Sequence, residues 1–119
     1  MLFLSNQIFK YPAVFYYEKH PLIMDSFSIQ VCFPDFKRKG FTSSVSGRDR
    51  GDALACAQEL LCSMVEHFIH SKKLIPDATK MEKVNVDRGI NICEADPFRI
   101  EIEHITYEKE RQSLTLRRG

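Results

Sequence analysis

The chain has no C-x-x-C pair, no glycine-rich phosphate loop, no internal repeat, no low-complexity tract and no long apolar run. Each absence removes a class of protein. Cys32, Cys56, Cys62 and Cys93 are scattered, and an even cysteine count suits a disulfide scaffold only in small secreted proteins. Met1-Leu2-Phe3-Leu4-Ser5-Asn6 lacks a basic start, and its apolar run after Met1 is three residues long. Neither a signal peptide nor a membrane span is expected from it, so the sequence predicts a cytoplasmic protein with reduced thiols and no membrane partner. The five glycines, Gly40, Gly47, Gly51, Gly89 and Gly119, fall mostly at breaks. Charge of one sign is missing too. Seventeen Lys and Arg stand against sixteen Asp and Glu, a formal +1, so the whole-chain field offers no general attraction for nucleic acid.

What is present is the pattern of one domain of 119 residues, 44% hydrophobic and 28% charged. Phe27, Ile29, Val31 and Phe33 alternate with Ser26, Ser28, Gln30 and Cys32. Period two makes one side of an extended segment apolar, and Pro34, with no N–H for a ladder, ends it. This strand is predicted over Leu22 to Phe33. An earlier strand runs from Lys10 to Glu18, apolar on both sides, which implies two covered faces or one face kept for a partner. Pro12 marks it as an edge or an entrance. Lys37-Arg38-Lys39-Gly40 reads as a basic turn, followed by a short third strand over Phe41 to Val45.

Ser46-Gly47-Arg48-Asp49 has the spacing of a capping box. A helix follows to about Lys72, with Leu54, Ala57, Leu61, Met64, Val65 and Phe68 on one stripe. Lys72 and Lys73 suit its negative end, and Pro76 bars continuation. Val84, Val86, Ile90 and Ile92 read as a short extended pair. Phe98 to Ile105 is the last strand, with Phe98, Ile100 and Ile102 facing in and Arg99, Glu101 and Glu103 facing out. The predicted class is α+β: an antiparallel three-stranded meander, one long helix, then a further strand. The core spans about residues 10–106, and residues 107–119 form a charged tail.

No catalytic constellation emerges. His67 and His70 with Glu66 offer two imidazoles where a metal wants at least three convergent ligands, and histidines near a helix end are commonplace. Cys56 and Cys62 lie within the helix, away from the N-terminus that would stabilise a thiolate. Asp49 and Asp52 are explained by the helix start, and Ala13-Val14-Phe15, at the centre of the first strand, has no acid for two-metal chemistry. No metal and no cofactor is expected. Tyr11, Phe15, Tyr16, Tyr17 and Phe36 are more aromatic than one small core needs, which fits either an interface or simple cover of helix and sheet.

Tyr11-Pro12-Ala13-Val14-Phe15, the strand ending Phe33-Pro34-Asp35, Gly40-Phe41-Thr42, the helical Asp52-Ala53-Leu54-Ala55-Cys56-Ala57 and then Leu74-Ile75-Pro76 occur in an order that resembles the HicB family of antitoxins. The resemblance covers Tyr11 to Pro76, with Phe98 to Ile105 as the following strand. It implies a degenerate ribonuclease-H-like domain without nuclease carboxylates. Its partner would be a small basic HicA-type RNA-cleaving toxin, neutralised by covering its active site, and assembly would be as a homodimer or larger oligomer. The family-motif and partner-binding candidates are Tyr11, Pro12, Phe33, Pro34, Asp35, Glu101 and Glu103, the two glutamates as partners for basic toxin side chains. For Tyr11, Pro12 and Phe33, maintenance of the fold is the more economical role.

Two departures stand out. Glu18 to Asp25 replaces the family's acidic, Gly-containing turn, and Lys37-Arg38-Lys39 replaces its usual later turn. Only fourteen positions, Thr106 to Gly119, follow the last strand, too few for a helix-turn-helix, so DNA is not an expected partner. The rival reading is an orphan ribonuclease-H-like domain that binds RNA or another protein without catalysis, through Lys37-Arg38-Lys39 and exposed tyrosines. A vestigial nuclease using Asp25 or Asp35 is the third.

Overall fold

The computed structural model describes residues 7–20 and 22–109. Strand β1 (Gln7–Lys19) pairs antiparallel with β2 (Phe27–Cys32) on one side and with β4 (Arg99–Lys109) on the other. A three-residue β3 (Val45–Gly47) completes a four-stranded sheet in the order β3-β2-β1-β4. Between strands lie a short helix α1 (Pro34–Arg38) and the long α2 (Arg50–His70). The α+β class, with a meander, one principal helix and a later strand, is the architecture observed.

Local chemistry sets the boundaries. Pro34 ends β2 as expected, but it also opens α1, where its fixed φ suits the first helical turn. Lys37 and Arg38 are therefore helical, and Gly40, at φ 90°, turns the chain out. Strand β2 starts five residues later than the pattern predicted. Residues 22–26 make a turn instead, with Asp25 at φ 59°. The third strand is shifted from Phe41–Val45 to Val45–Gly47, and the released Phe41 packs on His67 and Phe68. Because Ser46 is held extended opposite Gln30, it cannot cap α2. Asp49 does so, accepting from the Asp52 N–H at 2.8 Å, while Asp52 accepts from the Arg48 N–H at 2.9 Å. At the other end Lys72, at φ 57°, lets the Lys73 N–H reach the Phe68 carbonyl and the Lys72 N–H reach Ile69. That closing motif ends α2 before Pro76 is reached.

One side of the sheet carries α2. Ala53, Ala57, Leu60, Leu61, Met64, Val65 and Phe68 pack there against Tyr11, Ala13, Phe15 and Tyr17 of β1 and against Ile29 and Val31 of β2. Fully burying such a Leu, Met, Val or Phe contributes roughly 1.5–3 kcal/mol, which makes this the main core. Three polar contacts, Arg50 to Glu103, Gln58 to the Thr106 carbonyl and Glu66 to Tyr107, lay α2 along β4 in the same direction.

The second side holds Val14, Tyr16 and Cys32, covered by Val84, Val86, Ile92, Cys93 and Ile102. Here the predicted extended pair is absent. Residues Met81–Lys83 and Val86–Ile92 form 3-10 helices. Gly89 explains the choice: a Cβ there would lie 2.5 Å from the Tyr16 hydroxyl oxygen and 2.7 Å from the Cys32 sulfur, so the backbone itself lies against the sheet. Both faces of β1 are thus covered within one chain. Pro12 is fully buried inside β1, beyond the point where pairing with Cys32 ends, so its missing N–H costs no rung of the β1–β2 ladder.

Candidate functional site

Two of the motif residues act as clamps on the segment that follows α2. The Tyr11 hydroxyl donates to the Pro76 carbonyl. Burial, with Asp35 and Asp77 nearby, pushes that phenol up to about 12. Asp35 is completely buried at the start of α1. Its carboxylate accepts from the Thr79 N–H at 3.0 Å, from the Thr79 hydroxyl, and from Arg38 at 2.8 Å. Phe33 stacks edge-on against Phe36, and Phe36 meets Tyr11 at 4.7 Å and Phe68 at 5.4 Å between ring centroids. Phe33, Pro34 and Asp35 therefore terminate β2, start α1 and hold the crossing chain.

The same segment is tied at two further points. Tyr16 donates to the Val86 carbonyl at 2.5 Å, and the phenol is pushed well above its usual range, first by burial and then by the neighbouring Cys32. Glu18, buried at the end of β1, accepts from the Glu94 and Ala95 N–H groups, each at 3.0 Å. Neither contact was visible in sequence. Val14 and Tyr16 marked a second apolar face of β1, which the sequence left either covered or kept for a partner; the crossing chain covers it.

The excess of aromatic residues resolves as cover. Tyr11, Phe15, Tyr16, Tyr17 and Phe36 are all buried within the chain, so they are not the exposed platform that the interface or RNA-stacking readings needed. The exposed apolar surface lies elsewhere. Phe27 and Phe98 form an aromatic triangle with Tyr17, at centroid separations of 5.9 to 6.1 Å, and the Arg99 guanidinium sits 5.6 Å from the Tyr17 ring. Around it, in the 22–26 turn and the first residues of β4, stand Leu22, Ile23, Met24 and Ile100; Phe98 is 54% and Met24 88% exposed. A groove of about 430 Å³ runs between Ile23, Met24, Phe27 and Phe98.

Strand β4 meets the prediction only in part: Ile102 faces a core cluster, but the glutamates expected to face out lie on the α2 side. Its register sets Glu101 beside Phe15, Glu103 beside Ala13 and Ile105 beside Tyr11, all on the α2 side. The reason is that Ile105, not Ile100, is the residue buried in the main core. Ile102 faces the smaller second cluster, while Phe98 and Ile100 remain exposed. Glu101 accepts from the Tyr17 hydroxyl at 2.6 Å and from Arg99 at 2.7 Å, and these hold its carboxyl below the usual range against a smaller opposing effect of burial. Arg50 completes the network, 3.5 Å from Glu101 and paired with Glu103.

The remaining candidates do not converge. Asp25 lies in the turn before β2 and Asp35 just after it, so roughly 20 Å of strand separates the vestigial nuclease pair. His70 lies 3.6 Å from Glu66, but His67 packs on Phe41, and Glu66 already accepts from Tyr107 and Lys109. Among the described residues no group of three or more His, Cys, Asp or Glu side chains is placed to hold a metal ion, and no helix is long and apolar enough to cross a membrane. Of the predicted charged tail, residues 110–119 lie outside the described residues.

No family model and no curated protein matches the chain. Among solved structures, a chain of a toxin–antitoxin complex from Streptococcus pneumoniae is similar to it, at 23% identity and a TM-score of 0.66, over 84% of this chain and 69% of that one. At that identity the likeness establishes the shared α+β fold.

Proposed function

We propose that this protein is a non-catalytic, cytoplasmic antitoxin of the HicB type, a single domain that binds a small HicA-like RNA-cleaving toxin and keeps RNA from its active site. The observation that carries the reading is the likeness of fold, over 84% of the chain, to a member of a toxin–antitoxin complex. The ordered motif from Tyr11 to Pro76 supports it independently.

In this reading the partner surface is the end of the sheet built by Ile23, Met24, Phe27 and Phe98. An apolar centre with a charged rim is the usual anatomy of a contact patch. Arg99, Glu101 and Glu103 supply the rim, and a basic toxin side chain would compete with Arg50 for Glu103, whose side chain is 38% exposed. Tyr11, Pro12, Phe33, Pro34 and Asp35 lie toward the other end of the sheet and serve the surface only by maintaining the fold that carries it. Assembly as a homodimer or larger oligomer belongs to the same proposal.

Co-expression with the product of an adjacent small basic open reading frame tests this. Growth rescue and co-purification are expected. Met24→Asp and Phe98→Asp, both at exposed positions, should abolish co-purification while leaving the circular dichroism spectrum unchanged. A stable complex that survives both changes would move the interface elsewhere, and the lack of any complex would overturn the antitoxin reading.

A further inference from the structure

A second concavity lies at the other end of β2 from the apolar patch, between α1 and the chain that crosses the sheet's second face. It encloses about 630 Å³, within the range of small-molecule sites. Its lining carries four cations, Lys37, Arg38, Lys83 and Arg88, and no carboxylate. In a chain whose formal charge is +1, that is a local concentration of one sign. Asp35 neutralises Arg38 from behind. Among the described residues no acid lies within ion-pair distance of Lys37, Lys83 or Arg88. The cations are brought together by the clamps already described: Asp35 ties Thr79 to α1, and Tyr16 ties Val86 to the sheet. Like charges gathered by such ties repel, and an anion between them relieves the repulsion.

From this geometry we infer that the cleft binds a phosphorylated small molecule of nucleotide size. The phosphate lies among Lys37, Lys83 and Arg88, which give it charge-assisted hydrogen bonds. Pro34, Cys32 and Val84 supply an apolar floor for a flat ring, and Thr79 and Asn85 add polar side chains at the wall. A run of single-stranded RNA fits less well. The volume holds one nucleotide, and Tyr11, Tyr16, Tyr17 and Phe36, which would have to stack successive bases, are buried. The inference stands apart from the antitoxin reading, since it uses neither the apolar patch nor a toxin.

Isothermal titration of the full chain with AMP, adenosine, inorganic phosphate and a short single-stranded oligoribonucleotide decides it. AMP should bind saturably with a Kd below about 1 mM, phosphate more weakly, and adenosine not measurably. Lys83→Ala and Arg88→Ala, at exposed positions, should each raise the AMP Kd about tenfold with the melting temperature unchanged. Absence of AMP binding, equal affinity for adenosine, or a Kd indifferent to both variants overturns the proposal. So does an oligoribonucleotide that binds far more tightly than AMP, because the site would then be part of a strand-binding groove.

Discussion

The two faces of the sheet are closed by different physics. On one, a regular helix presents a stripe of apolar side chains, and sixteen residues of the described chain are buried in a single cluster. On the other, an irregular crossing chain buries three, and it is held at intervals by Tyr11, Asp35, Tyr16 and Glu18. The first face is stabilised mainly by area removed from water, which is undirected and tolerant of detail. The second depends on buried polar groups finding their partners, each worth about 1 kcal/mol net but costly to leave unmade. Stability therefore resides on the α2 face, whereas the shape of the cleft depends on the other.

The largest effect should come from opening the main core. Leu61→Ala should destabilise by about 3 kcal/mol, read as a lower urea midpoint with an unchanged slope. Next, Asp35→Ala removes the acceptor for Thr79 and Arg38 and should cost about 2 kcal/mol. If the second face opens separately, amide exchange should accelerate at Thr79 and Val86 far more than at Val31; equal acceleration would show one cooperative unit. Tyr16→Phe deletes a single hydrogen bond and should cost about 1 kcal/mol, with the same bias toward the crossing chain.

Smaller still is the dependence on pH. The Lys109 and Tyr107 hydrogen bonds hold the Glu66 carboxyl below its ordinary 4.5, and Tyr17 and Arg99 do the same for Glu101. A depressed carboxylate contributes stability above its unfolded value and loses it as pH falls through the folded one. The melting temperature should therefore drop on acidification below about pH 4.5. Glu66→Gln and Glu101→Gln should each flatten part of that slope. Tyr11 works in the opposite sense. Its phenol is raised from 10.0 to about 12, so its contribution holds below pH 10 and fades as pH climbs toward 12.

Much of the α2 face could be read directly. Ala57, Leu61, Met64, Val65 and Phe68 recur at helical spacing, and Ile29 and Val31 alternate toward them, because periodicity reports which side chains leave water together. The reading failed where two partners competed for the same residue. Ser46 has the right spacing for a cap, yet the ladder opposite Gln30 claims it. Glu101 and Glu103 alternate with isoleucines, and only the pairing of Ile105 with Tyr11 decides which set faces α2. A one-residue change of phase reverses a whole strand, and nothing in the strand itself sets the phase. The basic turn was recognised through Lys37 and Arg38, but Lys83 and Arg88 lie more than forty positions away in the chain and join them only through the folded crossing segment.

From the amino-acid order alone came the α+β class, the long helix with its apolar stripe, the end of β2 at Pro34, and a β1 hydrophobic on both sides. Those are local properties, set by backbone sterics and by repeating exposure to water. The facing of β4, the fate of the aromatic residues, the irregular cover over Tyr16 and the gathering of four cations into one cleft were settled by tertiary structure. Each of these depends on hydrogen-bond partners and charges brought together from distant parts of the chain, and that proximity comes into being only when the chain closes on itself.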